Sequence, residues 1–236
     1  MVKKQFFDRE TRLKNININE NVKMFIKDRH PDSRYASFDY CFNYFRSLCE
    51  NGEISKVADN EHLQISCMHL GGYLASWGMY RGSSFLLRDT SVRHYRNIIS
   101  ELPHLNPKLW SIDGDMYGDE GIIQLLLDTV ADIGKLLKKG DSEPSKILIT
   151  KTMLGIFGNV PAFDRFFQKG LGVCTCNKDA FSKIYDFYCY HKTAIDSKKI
   201  RTFNFADGYE SSRYYTKAKI IDMVGFVEGG EVKGKL

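Results

Sequence analysis

Asp119-Glu-Gly-Ile-Ile-Gln-Leu-Leu-Leu-Asp-Thr-Val-Ala-Asp-Ile-Gly-Lys-Leu-Leu-Lys-Lys-Gly140 is the stretch that decides the fold class. Ile122, Ile123, Leu126, Leu127, Val130, Ile133, Leu136 and Leu137 recur at the spacing of an α-helix with one apolar face. Asp119 offers an N-cap oxygen. Lys138, Lys139 and Gly140 suit the far end, where the helix dipole favours positive charge and glycine allows a left-handed turn. The spacing predicts a helix over 119–139.

The same period recurs on both sides. Tyr35, Phe38, Cys41, Phe42, Phe45 and Cys49 form one stripe that stops at Gly52. Asn177 can cap a helix over 177–191 with Phe181, Ile184, Tyr185 and Tyr188 on its face. Further helices are predicted over 17–29, 59–81, 83–101, 145–157, 161–171 and 211–226. The five prolines fall at helix edges, and few segments alternate with the period of a strand. The prediction is an all-α protein, a single multi-helix domain over 1–236, with the 103–118 segment marking a division into two helical halves. Trp110 and Ile112 in that segment should pack onto the core.

Composition narrows the function classes. The chain has 236 residues, 34 Lys and Arg against 29 Asp and Glu, and a net charge of +5. With 43% hydrophobic and 27% charged residues it reads as a globular domain, neither disordered nor fibrous. No secretory signal is read at the N-terminus. The most apolar stretch, 67–87, contains His69 and Arg81, so a membrane span is not expected. The six cysteines show no C-x-x-C pair and read as reduced thiols of a cytoplasmic protein. The six histidines form no H-E-x-x-H, and Asp113-Gly-Asp115 does not complete a calcium loop, so no metal or cofactor is expected.

Gly71-Gly-Tyr-Leu-Ala-Ser-Trp-Gly-Met-Tyr-Arg-Gly-Ser-Ser-Phe85 places Gly71, Ala75, Gly78 and Gly82 at helical spacing. Each glycine inside a helix costs about 1 kcal/mol relative to alanine. Close helix packing at Gly71, Ala75 and Gly78 would offset that cost. The second reading is an anion site, in which Arg81, Ser83 and Ser84 offer a guanidinium, hydroxyls and helix-start N–H groups to a phosphate. The 73–87 stretch also resembles uncharacterised bacterial helical proteins.

Lys146-Ile-Leu-Ile-Thr-Lys-Thr-Met-Leu-Gly-Ile-Phe-Gly-Asn-Val-Pro-Ala-Phe-Asp164-Arg165 holds the chemical lead. One helix carries Lys146 and Lys151, a Gly-Asn-Val-Pro turn follows, and Asp164 opens the next helix. An antiparallel return brings a lysine and Asp164 to one cleft, where a desolvated lysine can act as base or nucleophile. The alternative is an ordinary helical hairpin with Asp164 as a helix-start charge.

The interval from Lys146 to Asp164 and the order Phe157-Gly158, Pro161, Asp164 resemble the helix-hairpin-helix DNA glycosylases, over residues 146–172. The resemblance implies a hydrolase acting on DNA. It implies Asp164 as general base or charge stabiliser at the glycosidic carbon, Lys146 as the nucleophile of a lyase-type member, and Lys169 as a basic residue on the following helix. Three features depart from that family. Gly140-Asp-Ser-Glu-Pro-Ser-Lys146 replaces the glycine-rich hairpin, no four-cysteine cluster follows, and the aspartate is followed by Arg165-Phe-Phe167.

Basic and aromatic residues interleave in two places. Arg88, Arg93, His94, Tyr95 and Arg96 form one cluster. Lys192, Lys198, Lys199, Arg201, Phe203, Arg213, Tyr214, Tyr215, Lys217 and Lys219 form the other. Cations along a groove bind phosphates and exposed rings stack on bases. The expectation is a DNA-binding helical protein with N-glycosylase-like activity. Asp164, Lys146 and Lys151 would be its catalytic residues, and Arg81, Ser83, Ser84, Arg88, Arg93, Arg96, Arg165 and Lys169 its anion contacts. The alternative is a non-enzymatic helical interaction module that binds a protein partner or itself.

Overall fold

The structure, a computed structural model, describes residues 11–230. It is 63% helical, with one two-stranded sheet, and the all-α expectation holds. In chain order the elements are α1 (Ile18–Ile26), α2 (Ala36–Glu50), α3 (Leu63–Ser76), α4 (Phe85–Asp89), α5 (Arg96–Glu101), α6 (Glu120–Leu136), α7 (Lys146–Phe157), α8 (Arg165–Leu171), α9 (Lys178–Asp196), the hairpin β1 (Arg201–Phe203) and β2 (Glu210–Tyr214), and α10 (Lys217–Glu228).

The capping chemistry explains the best-defined helices. Asp119 accepts from the Ile122 N–H at 3.0 Å to open α6, and Asn177 accepts from the Ala180 N–H at 2.9 Å to open α9. Ile122, Ile123, Leu126, Val130 and Ile133 are the buried face of α6. Two helices have almost no exposed face. Every residue of α7 from Leu148 to Phe157 is buried, and so is every residue of α10 from Ala218 to Val227. A helix buried all round, as these are despite Lys151 in α7 and Lys219 and Asp222 in α10, belongs at the centre of the molecule. Accordingly α7 packs against α2, α3 and α6, and α10 against α1, α8 and α9.

The segment predicted as one helix over 83–101 breaks into α4, a 3-10 turn (Val92–Tyr95) and α5. Hydroxyls break it: Thr90 Oγ1 donates back to the Leu86 carbonyl, and Ser91 Oγ accepts from the Arg93 N–H. The helix predicted over 211–226 starts at Lys217, because Thr216 caps it and 210–214 pairs with β1. Asp39 anchors this hairpin to α2, accepting from Arg29 and Tyr215 Oη at 2.6 Å each and from the Phe203 N–H at 3.0 Å.

Trp110 and Ile112 are buried as expected, and Trp110 meets Phe157 edge-on at 4.7 Å. One apolar cluster takes residues from both sides of the 103–118 segment. The glycine seam predicted on α3 reduces to Gly71, where a Cβ would lie 2.8 Å from Val92 Cγ1. Ala75 is exposed. Gly78 lies past the helix end at φ +75°, so its need for glycine is conformational.

Candidate active site around Asp164

Ser145 caps α7 by accepting from the Leu148 N–H at 3.2 Å, and Gly158 ends the helix at φ +69°. The chain then runs buried from Asn159 to Phe163. Side chains from three elements hold this turn. Asp222 Oδ1 accepts from the Ala162 N–H at 2.9 Å, Thr150 Oγ1 accepts from the Phe163 N–H at 3.0 Å, and Gln168 donates to the Phe163 carbonyl at 2.8 Å.

Asp164 emerges from that turn as the N-cap of α8. Its Oδ1 accepts from the Phe166 and Phe167 N–H groups, each at 3.0 Å. Its Oδ2 lies 3.6 Å from Lys151 Nζ, and the two side chains are 13% and 8% exposed. Lys151 Nζ also donates to the Trp77 carbonyl at 2.8 Å, at the C-terminal end of α3. Burial pushes the Lys151 ammonium below the ordinary lysine range, and the Asp164 and Asp222 carboxylates oppose that shift. The exposed Arg81 guanidinium adds a like charge that lowers it further.

A second pair stands behind the first. Lys219 Nζ lies 2.8 Å from Asp222 Oδ2, with the side chains 1% and 4% exposed, and 4.1 Å from the Trp77 ring centroid. Burial raises the Asp222 carboxyl above the usual carboxylate range against the pull of Lys219. Tyr73 Oη and Trp77 Nε1 are buried here with no hydrogen-bond partner.

The structure therefore brings together three of the sequence-predicted residues: Asp164, Lys151 and Arg81. Lys146 stands apart, exposed on the first turn of α7. It lines an open groove of about 380 Å³ with Lys135, Lys138, Glu143 and Pro144 over a floor of Val130, Gly134 and Ile149. Among the described residues the lysine that pairs with Asp164 is Lys151. Ser84 is committed to local structure, accepting from the Leu86 N–H at 3.3 Å, and the helix it opens is five residues long. Ser83 is exposed beside it. Arg88 lies 3.8 Å from Asp89, while Arg93 and Arg96 are exposed next to Cys67. Arg165 is exposed with its guanidinium 4.5 Å from the Phe166 ring centroid, and Lys169 is exposed near the end of α8.

The C-terminal basic cluster is mostly consumed internally. Arg213 pairs with Glu50, Lys192 with Asp196, Lys217 with Asp115 and Asp196, and Lys219 with Asp222. Asp113, read from sequence beside a calcium-type pattern, accepts from the Gly114, Lys217 and Ala218 N–H groups and so opens α10. No group of three His, Cys, Asp or Glu side chains able to hold a metal ion is found among the described residues.

Sequence reasoning missed Asp222, Thr150 and Trp77 as parts of this site. One signal was available for the first. Lys219 and Asp222 interrupt Ala218-Lys-Ile-Ile-Asp-Met-Val-Gly-Phe-Val227 at a spacing of three, and opposite charges so placed in an apolar helix must be buried together.

No helix of the described residues is long and apolar enough to cross a membrane. No protein-family model, curated protein or solved structure matches the chain.

Proposed function

We propose that the chain is a DNA-binding helical protein that releases a base from DNA, with Asp164 as the carboxylate facing the sugar and Lys151 as the lysine beside it. The observation that carries this reading is the 3.6 Å approach of Lys151 Nζ to Asp164 Oδ2, with both side chains largely shielded from solvent. Departure of the base takes the bonding electrons and leaves positive charge on the sugar. A carboxylate fixed by two backbone N–H groups and a lysine meets that charge without reorganising. Water then adds at the sugar carbon, its hydroxyl staying there and its proton balancing the departed base. Arg81, exposed and close enough to Lys151 for its charge to be felt there, would hold a backbone phosphate beside the target.

Abasic-site formation on a panel of damaged and modified duplexes tests the reading. Asp164→Asn keeps the cap oxygen, removes the charge and should abolish base release. Base release by that variant at the wild-type rate ends the assignment. A lyase branch would have a neutral amine attack the sugar C1′ and form an imine with loss of water or base. Borohydride would then trap an adduct that survives Lys146→Gln and disappears in Lys151→Met.

The second reading, an interaction module, is favoured by Ile65 and Met68, 48% and 54% exposed on the outer face of α3. Self-association lost in Met68→Lys, without any base release by the parent chain, would support it.

A further inference from the structure

The turn that delivers Asp164 is held by charges that never reach solvent. Asp222 uses both of its oxygens. Oδ2 meets Lys219 Nζ at 2.8 Å, and Oδ1 accepts the Ala162 N–H at 2.9 Å, two residues before Asp164. Thr150 and Gln168 hold the Phe163 N–H and carbonyl in the same turn. Three side chains thus fix the peptide units that aim Asp164 at Lys151.

A buried ion pair is a poor source of stability, because desolvation offsets most of its attraction and apolar residues of similar volume often serve as well. Lys219 and Asp222 lie among Ile220, Ile221, Met223 and Val224, where an apolar pair would extend the core. Their distinctive contribution is directional: a carboxyl acceptor placed against one backbone amide, and a cation beside it that favours its charged form.

We propose that Asp222 is a positioning residue for Asp164, acting through the Ala162 amide, and that Lys219 serves as its counter-ion. Lys219 therefore takes no part in contacting DNA. The kinetic arm of this proposal rests on the base-release reading, and its structural arm does not.

The test compares two double variants of the full chain, so that neither leaves a buried charge unpaired. Lys219→Met with Asp222→Asn keeps an oxygen opposite the Ala162 N–H. Lys219→Met with Asp222→Ala removes it. Both should keep the parent helical circular dichroism. In the alanine variant, amide hydrogen exchange at Ala162, Phe166 and Phe167 should accelerate by about five- to ten-fold, the equivalent of one net hydrogen bond, while exchange at Ile133 on α6 stays unchanged. In the asparagine variant protection should return. For base release, kcat should fall about 10- to 100-fold in the alanine variant with KM unchanged, and recover in the asparagine variant.

Parent-like exchange at Phe166 and Phe167 in the alanine variant overturns the proposal, because the Asp164 cap would then not depend on Asp222. Loss of protection across the whole molecule in both variants also overturns it, leaving Asp222 a general stability residue. If the parent chain releases no base, the catalytic reading fails, and the exchange data still decide whether Asp222 positions Asp164.

Discussion

Gly170 on α8 meets Gly225 on α10 backbone to backbone: a Cβ at residue 170 would lie 2.0 Å from the Gly225 carbonyl oxygen. A Cβ at Gly229 would lie equally close to the Phe166 carbonyl oxygen. This is the close helix seam of the molecule, and it fixes α8, whose N-cap is Asp164, against α10, which carries Asp222.

Gly170→Ala should therefore destabilise by about 3 kcal/mol or more, beyond ordinary overpacking, because the clash is with a carbonyl that cannot rotate away. Gly72→Ala is the control. Nothing lies within 4 Å of a Cβ there, so relief of the helix-interior glycine should stabilise by about 0.5–1 kcal/mol. Thermal midpoints decide both, at about 2–4 °C per kcal/mol for a chain of this size. Equal midpoints for the two variants would remove the seam.

Asp164 has two structural duties that substitution can separate. Asp164→Asn keeps the oxygen that accepts from Phe166 and Phe167 and loses only the charge facing Lys151. Asp164→Ala removes the same charge and loses the cap as well, and both variants leave Lys151 buried without its counter-charge. Loss of the counter-charge should cost both variants about 3 kcal/mol, and loss of the cap should add about 1 kcal/mol in the alanine variant. Urea denaturation midpoints measure the difference, and an asparagine variant as unstable as the alanine one would show that the cap contributes nothing.

The helices that decide the fold class were legible because their apolar residues form stripes. Ile122 to Ile133 and Phe38 to Phe45 announce themselves by period alone. The centre of the molecule was less legible for the opposite reason. Helices α7 and α10 are buried all round, so their sequences carry composition without phase, and Lys151 looks like a surface charge until a neighbour is placed against it. Asp164 could be found from its place after a proline turn, because capping is a local rule. Its lysine could not, because α7 offers Lys146 and Lys151 and only tertiary packing onto Trp77 chooses the second. In the basic cluster from 192 to 219 the pairing of Arg213 and Lys217 was hidden for the same reason, since their partners Glu50 and Asp115 lie far away in sequence.

His69 supplies a pH signature. Its ring stacks on Tyr44 at 4.1 Å and 15°, and burial lowers its pKa below the ordinary histidine value. The folded state then binds fewer protons than the unfolded chain. Stability is fully present above about pH 6.5 and is lost as pH falls from there towards the depressed folded value. His94, also lowered by burial, acts in the same direction. His69→Phe should keep the stack and flatten the decline of the thermal midpoint between about pH 6.5 and 5. An unchanged slope would mean that His69 titrates normally in the folded protein.

Salt dependence separates the two basic regions. A cation contributes to DNA affinity by displacing counterions from a phosphate, which requires a guanidinium or ammonium free to leave its own partners. Arg81, Arg93, Arg96 and Arg165 are exposed and make no ion pair among the described residues. Arg213 is engaged by Glu50, Asn43 and Ser47, and Lys192 by Asp196 and Tyr188, so moving either to a phosphate would break contacts already made. Duplex binding followed by fluorescence anisotropy across a salt series should give an affinity that falls as salt rises. Arg81→Ala and Arg93→Ala should each flatten the log–log slope by about 1, one phosphate contact apiece. Arg213→Ala and Lys192→Ala should leave the slope unchanged, and Asp164→Asn should leave affinity nearly intact, because its cap oxygen is retained and its charge does not attract phosphate. Binding absent at low salt would remove the DNA reading altogether. A slope sensitive to Arg213 and indifferent to Arg81 would move the DNA to the other basic cluster and take Arg81 out of the interface, and the base-release assignment would fail with it.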